Sequence, residues 1–196
     1  KSFSSDNDSM RVFNYNAGLK ALDNGDVLFG GAGLKLLSVD KGVIKFSFLA
    51  ESEWVNGITV DSDENILYSS VNEGIVKFKN GEKLEVLNAE NGMIYDVTTC
   101  VHIDKKGWIW TASESGGAGF YDGTTWSYIN TDDGLLRNWV NRITSDNNGS
   151  YYISHPQGVT LYKPLKQDGQ VSFEKVSTTK NDYTNLNIKE IESIVN

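Results

Sequence analysis

The sequence predicts an all-β fold made of repeated four-stranded antiparallel units. Three observations lead there. Short turns of Asn, Asp and Gly recur along the chain at one period. Between them lie short runs rich in Val, Ile, Tyr and Trp, residues that suit a pleated, half-buried surface. No window carries the 3.6-residue apolar period of a long amphipathic helix.

The repeat is visible in two independent series. Turn residues fall at Gly25, Asn65, Gly107 and Gly149, spaced by 40, 42 and 42 residues. A second glycine series falls at Gly33, Gly74, Gly117 and Gly158, spaced by 41, 43 and 41. A pair of residues three apart precedes a turn aspartate at the same offsets each time: Val55 and Ile58 before Asp61, Thr98 and Val101 before Asp104, Val140 and Ile143 before Asp146. The frame returns at Ile188 and Ile191, and in the first unit Leu22 takes the aspartate's place.

Each unit divides into four strands. In the third, VTTCVHID, WIWTAS, GAGFYD and WSYIN are separated by KKG, ESGG and GTT. Asn, Asp and Gly hold the connections because they tolerate the positive φ of tight hairpins. Four strands per roughly 40–45 residues is the pattern of a β-propeller blade. A lone four-stranded sheet exposes two faces, and radial stacking buries both. Trp108, Trp110, Tyr152, Ile153, Leu28 and Phe29 are therefore expected between blades. The units run at approximately 10–50, 51–93, 94–135 and 136–183, with the start of a fifth blade at 187–196. A single propeller region over 1–196 is expected, about four blades plus the start of a fifth. A partial propeller continued on further sequence is expected over a five-bladed ring closed by the N-terminal residues, because a sheet left unfinished exposes an edge.

Composition narrows the function. The hydrophobic fraction is 39% and the aromatic fraction 11%, enough for a core. The net charge of -8 disfavours nucleic acid as a partner. The single cysteine, Cys100, leaves no intrachain disulfide and is expected as a buried apolar thiol. No run is long and apolar enough for a membrane helix.

The stretch DGLLRNWVNRITSDNNGSYYISHPQGVTLYK resembles the two-component regulator propeller repeat. That pattern runs approximately D-G-L, then N-x-V-x-x-I-x-x-D-x-x-G-x-x-W-x-G-T, then G-G-L-x-x-Y. Asp133, Gly134, Leu135, Asn138, Val140, Ile143, Asp146, Gly149, Tyr152 and Gly158 fill its places. The third unit matches through Asn91, Gly92, Asp104, Gly107, Trp110, Thr111, Gly116, Gly117 and Tyr121. Tyr152 and Ser154 depart from the usual Trp and Gly. The resemblance implies a sensor, the periplasmic or cell-surface input domain of a hybrid histidine kinase of the Bacteroidetes type, many of which respond to oligosaccharides. Any kinase would lie on other sequence.

Chemical motifs are sparse. Asp61-Ser-Asp63-Glu-Asn65 has alternating oxygen donors like the start of a calcium loop. Ile66 stands where the loop needs Gly, and Asn72 where it needs the bidentate Glu, so a hairpin turn is expected there. Phe29-Gly-Gly-Ala-Gly33 is followed by the strand-like LKLLSV, whereas a phosphate cradle opens a helix. His102 and His155 are the only histidines and complete no zinc set. No G-x-S-x-G nucleophile elbow is present. Neither a catalytic residue, a metal nor a cofactor is expected.

Binding residues on such a scaffold sit on loops. Two loop families should meet at one end of the ring. One joins the second and third strands of a blade: Ser70–Glu73, Ser113–Gly116 and Ser154–Gln157. The other joins consecutive blades: Glu51–Trp54, Asn91–Asp96 and Asp132–Trp139. They offer Trp54, Tyr95, Arg137, Asn138 and Trp139, together with Asn72, Glu114 and an exposed loop histidine, His155. Aromatic faces, amides and a guanidinium suit a sugar, which stacks and hydrogen-bonds. The expected function is non-catalytic ligand sensing, with an oligosaccharide ligand. The alternatives are a scaffold docking another protein or a second receptor copy, and a metal-dependent propeller lactonase or lyase, suggested by NGITVD and LYSS of the second unit.

Overall fold

The structure is a computed structural model describing residues 18–95, 97–167 and 170–180, with the backbone alone at 164–167, 170–172 and 180. The strands are β1 (Leu19–Ala21), β2 (Val27–Phe29), β3 (Leu34–Asp40), β4 (Val43–Ala50), β5 (Val55–Val60), β6 (Ile66–Ser70), β7 (Gly74–Lys79), β8 (Glu82–Leu87), β9 (Cys100–Ile103), β10 (Ile109–Ser113), β11 (Gly117–Tyr121), β12 (Trp126–Ile129), β13 (Arg142–Ser145), β14 (Tyr151–His155), β15 (Gly158–Gln167) and β16 (Gln170–Lys180). They form four sheets, each of four consecutive strands in chain order. Neighbours within each sheet are antiparallel. The fold is a run of four β-propeller blades. The fifth blade expected at 187–196 lies outside the described residues.

The first strand of each blade touches the first strand of the next. Gly57 on β5 lies so close to β9 that a Cβ there would stand 2.6 Å from the backbone nitrogen of Val101. Gly18 abuts Gly57 in the same way. Side-chain links follow at the repeat period: Asn56 Nδ2 donates to Thr98 O at 2.7 Å, and Thr99 Oγ1 donates to Val140 O at 2.8 Å. β1, β5, β9 and β13 are therefore the inner wall.

The turn aspartates explain themselves locally. Oδ1 of Asp61 accepts the backbone N–H groups of Asp63 and Asn65, Oδ1 of Asp104 those of Lys106 and Trp108, and Oδ1 of Asp146 those of Asn148 and Ser150. Each carboxylate thus replaces a turn of backbone hydrogen bonds between the first and second strands. At Asp61, Oδ2 is also occupied, by Asn65 Nδ2 and the Lys77 ammonium, so the calcium-like stretch is a hairpin turn.

Alternate residues of a strand face opposite ways, and this sorts the aromatics. Trp110 is enclosed between the third and fourth blades, 4.2 Å from the ring of Tyr151 and 4.9 Å from that of Phe120 between centroids. Leu28 and Ile153 are also fully buried between blades. Tyr151 faces the third blade, while Tyr152 is half-buried on the opposite face, towards the expected fifth blade, which lies outside the described residues. Phe29 likewise lies on the far side of the first blade, edge-on to Phe46. That side exposes Leu19, Val39, Ile44, Phe46 and Phe48, with Phe48 58% exposed. Cys100 is a buried thiol, pushed up to about 11 by burial.

Candidate functional site

The loops between blades are built by one device used twice. Asn88 and Asn130 each cap a short 3-10 turn, at Ala89–Asn91 and Thr131–Asp133, through reciprocal side-chain and backbone hydrogen bonds. Gly92 and Gly134 end these turns at φ 85° and 91°, a left-handed conformation that favours glycine. The next residue, Met93 or Leu135, then drops into the core. The Asp-Gly-Leu of the repeat is this ending. The capping asparagines were missed as signals, although they stand 42 residues apart.

The loop from the second blade to the third is tied to Tyr128 on β12. Its hydroxyl accepts from Ile94 N at 2.8 Å and donates to Gly92 O at 3.0 Å. This holds the ring of Tyr95 against Gly116, where a Cβ would stand 1.9 Å from the ring. Gly116 is therefore required by Tyr95. Tyr95 itself is 38% exposed.

The loop from the third blade to the fourth grips the other side of the same hairpin. Gly117 N donates to Asn138 O at 2.9 Å, and Val140 N donates to Ser113 O at 3.0 Å. Asn138 Oδ1 accepts from Thr131 N, closing its own loop. Ser113 Oγ accepts from Ser115 N and Gly116 N. The tip carrying Glu114 thus stands exposed between Tyr95 and the Arg137–Trp139 segment. Arg137 is exposed, and Trp139 is 48% exposed.

His155 is placed differently from expectation. It ends β14 and is only 4% exposed. Nδ1–H donates to Trp139 O at 3.1 Å, and Nε2 lies 3.2 Å from Thr160 Oγ1. Burial pushes the imidazole below its usual pKa, against the backbone contacts of Trp139 and Arg137, which raise it. The histidine holds the Arg137–Trp139 segment from beneath. Trp54 is half-buried and Asn72 exposed; Trp54 O accepts from Val71 N, so these two form the corresponding pair one blade earlier.

The two loop families do meet at one end of the arc, which we term the link end. Beneath Tyr95 the void is only about 10 Å³, so the ring of Tyr95 offers a surface rather than a deep pocket. A larger open hollow of about 560 Å³ lies at the same end by the first and second blades, lined by Ala32, Phe48, Glu51, Ser52, Glu53, Glu73 and Lys83. Among the described residues, no three of His, Cys, Asp and Glu are grouped to hold a metal.

Arg142 went unnoticed in the sequence. It occupies the repeat place of Gly57 and Cys100, where a long cation breaks the pattern. Its Nη1 donates to Thr99 O at 2.6 Å and to Asn141 O at 2.9 Å, and Nη2 reaches Asn56 O at 3.5 Å.

No protein-family model matches the sequence, and no curated protein matches it. Solved structures match its fold. The extracellular domain of the hybrid two component system BT3049 from B. thetaiotaomicron superposes with a TM-score of 0.63 at 15% identity, over 82% of this chain and 23% of that one. The WD40 β-propeller domain of Doa1 gives 0.59 at 14% identity, over 84% and 54%. Virginiamycin B lyase from Staphylococcus aureus gives 0.59 at 15% identity, over 83% and 56%. The chain spans less than two thirds of each. No helix among the described residues is long and apolar enough to cross a membrane.

Proposed function

We propose that the chain is part of an extracytoplasmic ligand-sensing propeller of a two-component receptor, and that its link end binds a glycan fragment without transforming it. The observation that carries the reading is the grouping at the Ser113–Gly117 hairpin. Tyr95 flanks it on one side and Arg137–Trp139 on the other, with Glu114 at the tip. Partly exposed aromatic faces stack on the apolar face of a sugar ring, while carboxylate and guanidinium groups take its hydroxyls. The aromatics are pre-set: Tyr128 and Gly116 hold Tyr95, and His155 holds Trp139 by its carbonyl. Such pre-organisation reduces the entropy lost on binding. The likeness in fold to the BT3049 extracellular domain supports the sensor role and the extracytoplasmic location.

The test is calorimetry of the chain, and of the whole receptor that contains it, against a panel of neutral and acidic oligosaccharides. Saturable heat abolished by Tyr95→Ala or Trp139→Ala is expected. No binding across the panel, with kinase output unchanged, overturns the reading.

A second reading is a scaffold that docks protein. The exposed apolar side of the first blade, with Phe46 and Phe48, favours it. A captured protein partner released by Phe48→Asp and indifferent to Trp139→Ala would select it.

A further inference from the structure

The four inner strands carry two cations and no acid. The chain has 26 acidic and 18 basic residues. Yet β1, β5, β9 and β13 read LKA, VNGITV, CVHI and RITS, with no Asp or Glu among them. Their charged members are Lys20 and Arg142, from the first and the fourth blade. Asp61, Asp104 and Asp146 lie just past the ends of β5, β9 and β13, at the opposite end from Arg142, and Asp104 is the one that acts on His102. Its oxygens are occupied by Lys106 N, Trp108 N, Trp110 Nε1 and Tyr151 Oη.

Arg142 lies across this wall. Its guanidinium spans from the fourth blade over β9, whose outer edge pairs with β10, to a carbonyl of β5. Among the described residues, its hydrogen-bond partners are neutral carbonyls. Among the described residues no carboxylate pairs with it. A guanidinium has five N–H donors, and the Nη2 contact is long, so donors are left without a partner among the described residues. Arg142 remains exposed. The charge of Lys20 reaches the same wall, where it adds to burial in lowering the pKa of His102, against Asp104.

We infer that the axial wall around Arg142 is an anion-binding site, taking a carboxylate or sulfate group that bridges the free guanidinium donors and is drawn in by Lys20. Carbonyls on three blades fix the guanidinium in place, so its fork is ready for a bidentate oxyanion. Two cations at strands that carry no acid favour an anion over a neutral ligand there. Arg142 follows Trp139 by three residues, so an anion held there sits at the axial edge of the link end. The site stands whether or not the exposed aromatics bind sugar.

The test is an NMR titration of the 196-residue chain at low salt with sulfate, acetate and glucuronate, and with glucose as the neutral control. The Arg142 side-chain N–H and His102 ring signals are read. Saturable shifts with the anions and none with glucose are expected. Arg142→Gln should weaken anion binding at least tenfold, and Lys20→Gln several-fold while leaving the carbonyl clamp intact. Equal response to sulfate, acetate and glucuronate identifies a bare-oxyanion site. A tenfold preference for glucuronate identifies a carboxylate presented on a sugar ring. The inference is overturned if no anion gives a saturable shift, if glucose shifts the same signals, or if Lys20→Gln and added chloride leave binding unchanged. The Lys20 variant and the chloride competition decide the matter should Arg142→Gln fail to fold.

Discussion

Tyr151 on the fourth blade donates its hydroxyl to Oδ2 of Asp104 on the third at 2.6 Å. The same oxygen accepts the indole N–H of Trp110 at 3.1 Å, and the aspartate is only 7% exposed. One carboxylate thus closes its own hairpin and fastens the next blade. Burial, and then this contact with Asp104, raise the pKa of the Tyr151 hydroxyl, which stays protonated and donating.

Removing that donor should loosen the junction between these blades. Tyr151→Phe is expected to destabilise the chain by about 2 kcal/mol, the usual range for a hydrogen bond to a charged group. Asp104→Ala should cost more, because it strands both donors and opens the turn. Urea unfolding of the two variants and their double mutant measures the coupling. Additive effects would mean the bond contributes nothing.

The turn aspartates show what was legible and what was not. Asp61, Asp104 and Asp146 were readable as hairpin turns, since turn duty depends on local sequence alone. Their second oxygens were not. Trp110 Nε1 serves Asp104, Tyr152 Oη serves Asp146 at 3.2 Å, and Asn65 with Lys77 serves Asp61, where Leu67 holds the Trp place. Three chemistries fill one role, so no fixed residue type marks it. The Trp-to-Tyr departure at Tyr152 is therefore conservative in hydrogen bonding. At the link end, the loops were legible because strand order fixes which connections share an end. The burial of His155 was not, because it depends on how the Arg137–Trp139 segment folds back over β14. Arg142 was hidden because the inner edge of a blade has no sequence signature of its own.

Two glycines should respond differently. Gly57→Ala places a Cβ against the backbone of β9, which cannot yield cheaply, and a loss of about 1–3 kcal/mol is expected. Gly107→Ala meets no atom within 4 Å but must hold φ +80°, a cost of about 1–2 kcal/mol from backbone conformation alone. Chemical denaturation separates them further when combined with Arg142→Gln. The Gly57 change, at the inner wall, should couple to it, and the Gly107 change should add.

Asp122 offers a pH reporter on the third blade. Backbone N–H donation from Thr125, then the hydroxyl and N–H of Thr124, hold its carboxyl down at about 2. The folded pKa lies below the unfolded value of about 3.9. Its contribution to stability is therefore full above pH 4 and lost as pH falls through about 2. Carboxyl NMR titration should find Asp122 still ionised at pH 3. A midpoint near 4 would deny the turn its hydrogen bonds.

His155 gives the opposite chemistry with the same sign. Its folded pKa is depressed, so the neutral ring favours the folded state above the unfolded value of about 6.5. That stability is lost as pH falls below this value towards the folded pKa. His155→Gln should remove this part of the pH dependence and broaden the Trp139 resonances, while the signals of Trp110, held at Asp104, stay put.

The most direct test of the link-end binding surface uses the five tryptophan indole N–H groups as built-in reporters. A ¹H–¹⁵N spectrum is followed while oligosaccharide fragments are added. Binding at the link end predicts saturable shifts of Trp139, with smaller ones at Trp54, and none at the enclosed Trp110. No indole shift with any fragment, or shifts confined to Trp108 and Trp126, would contradict it.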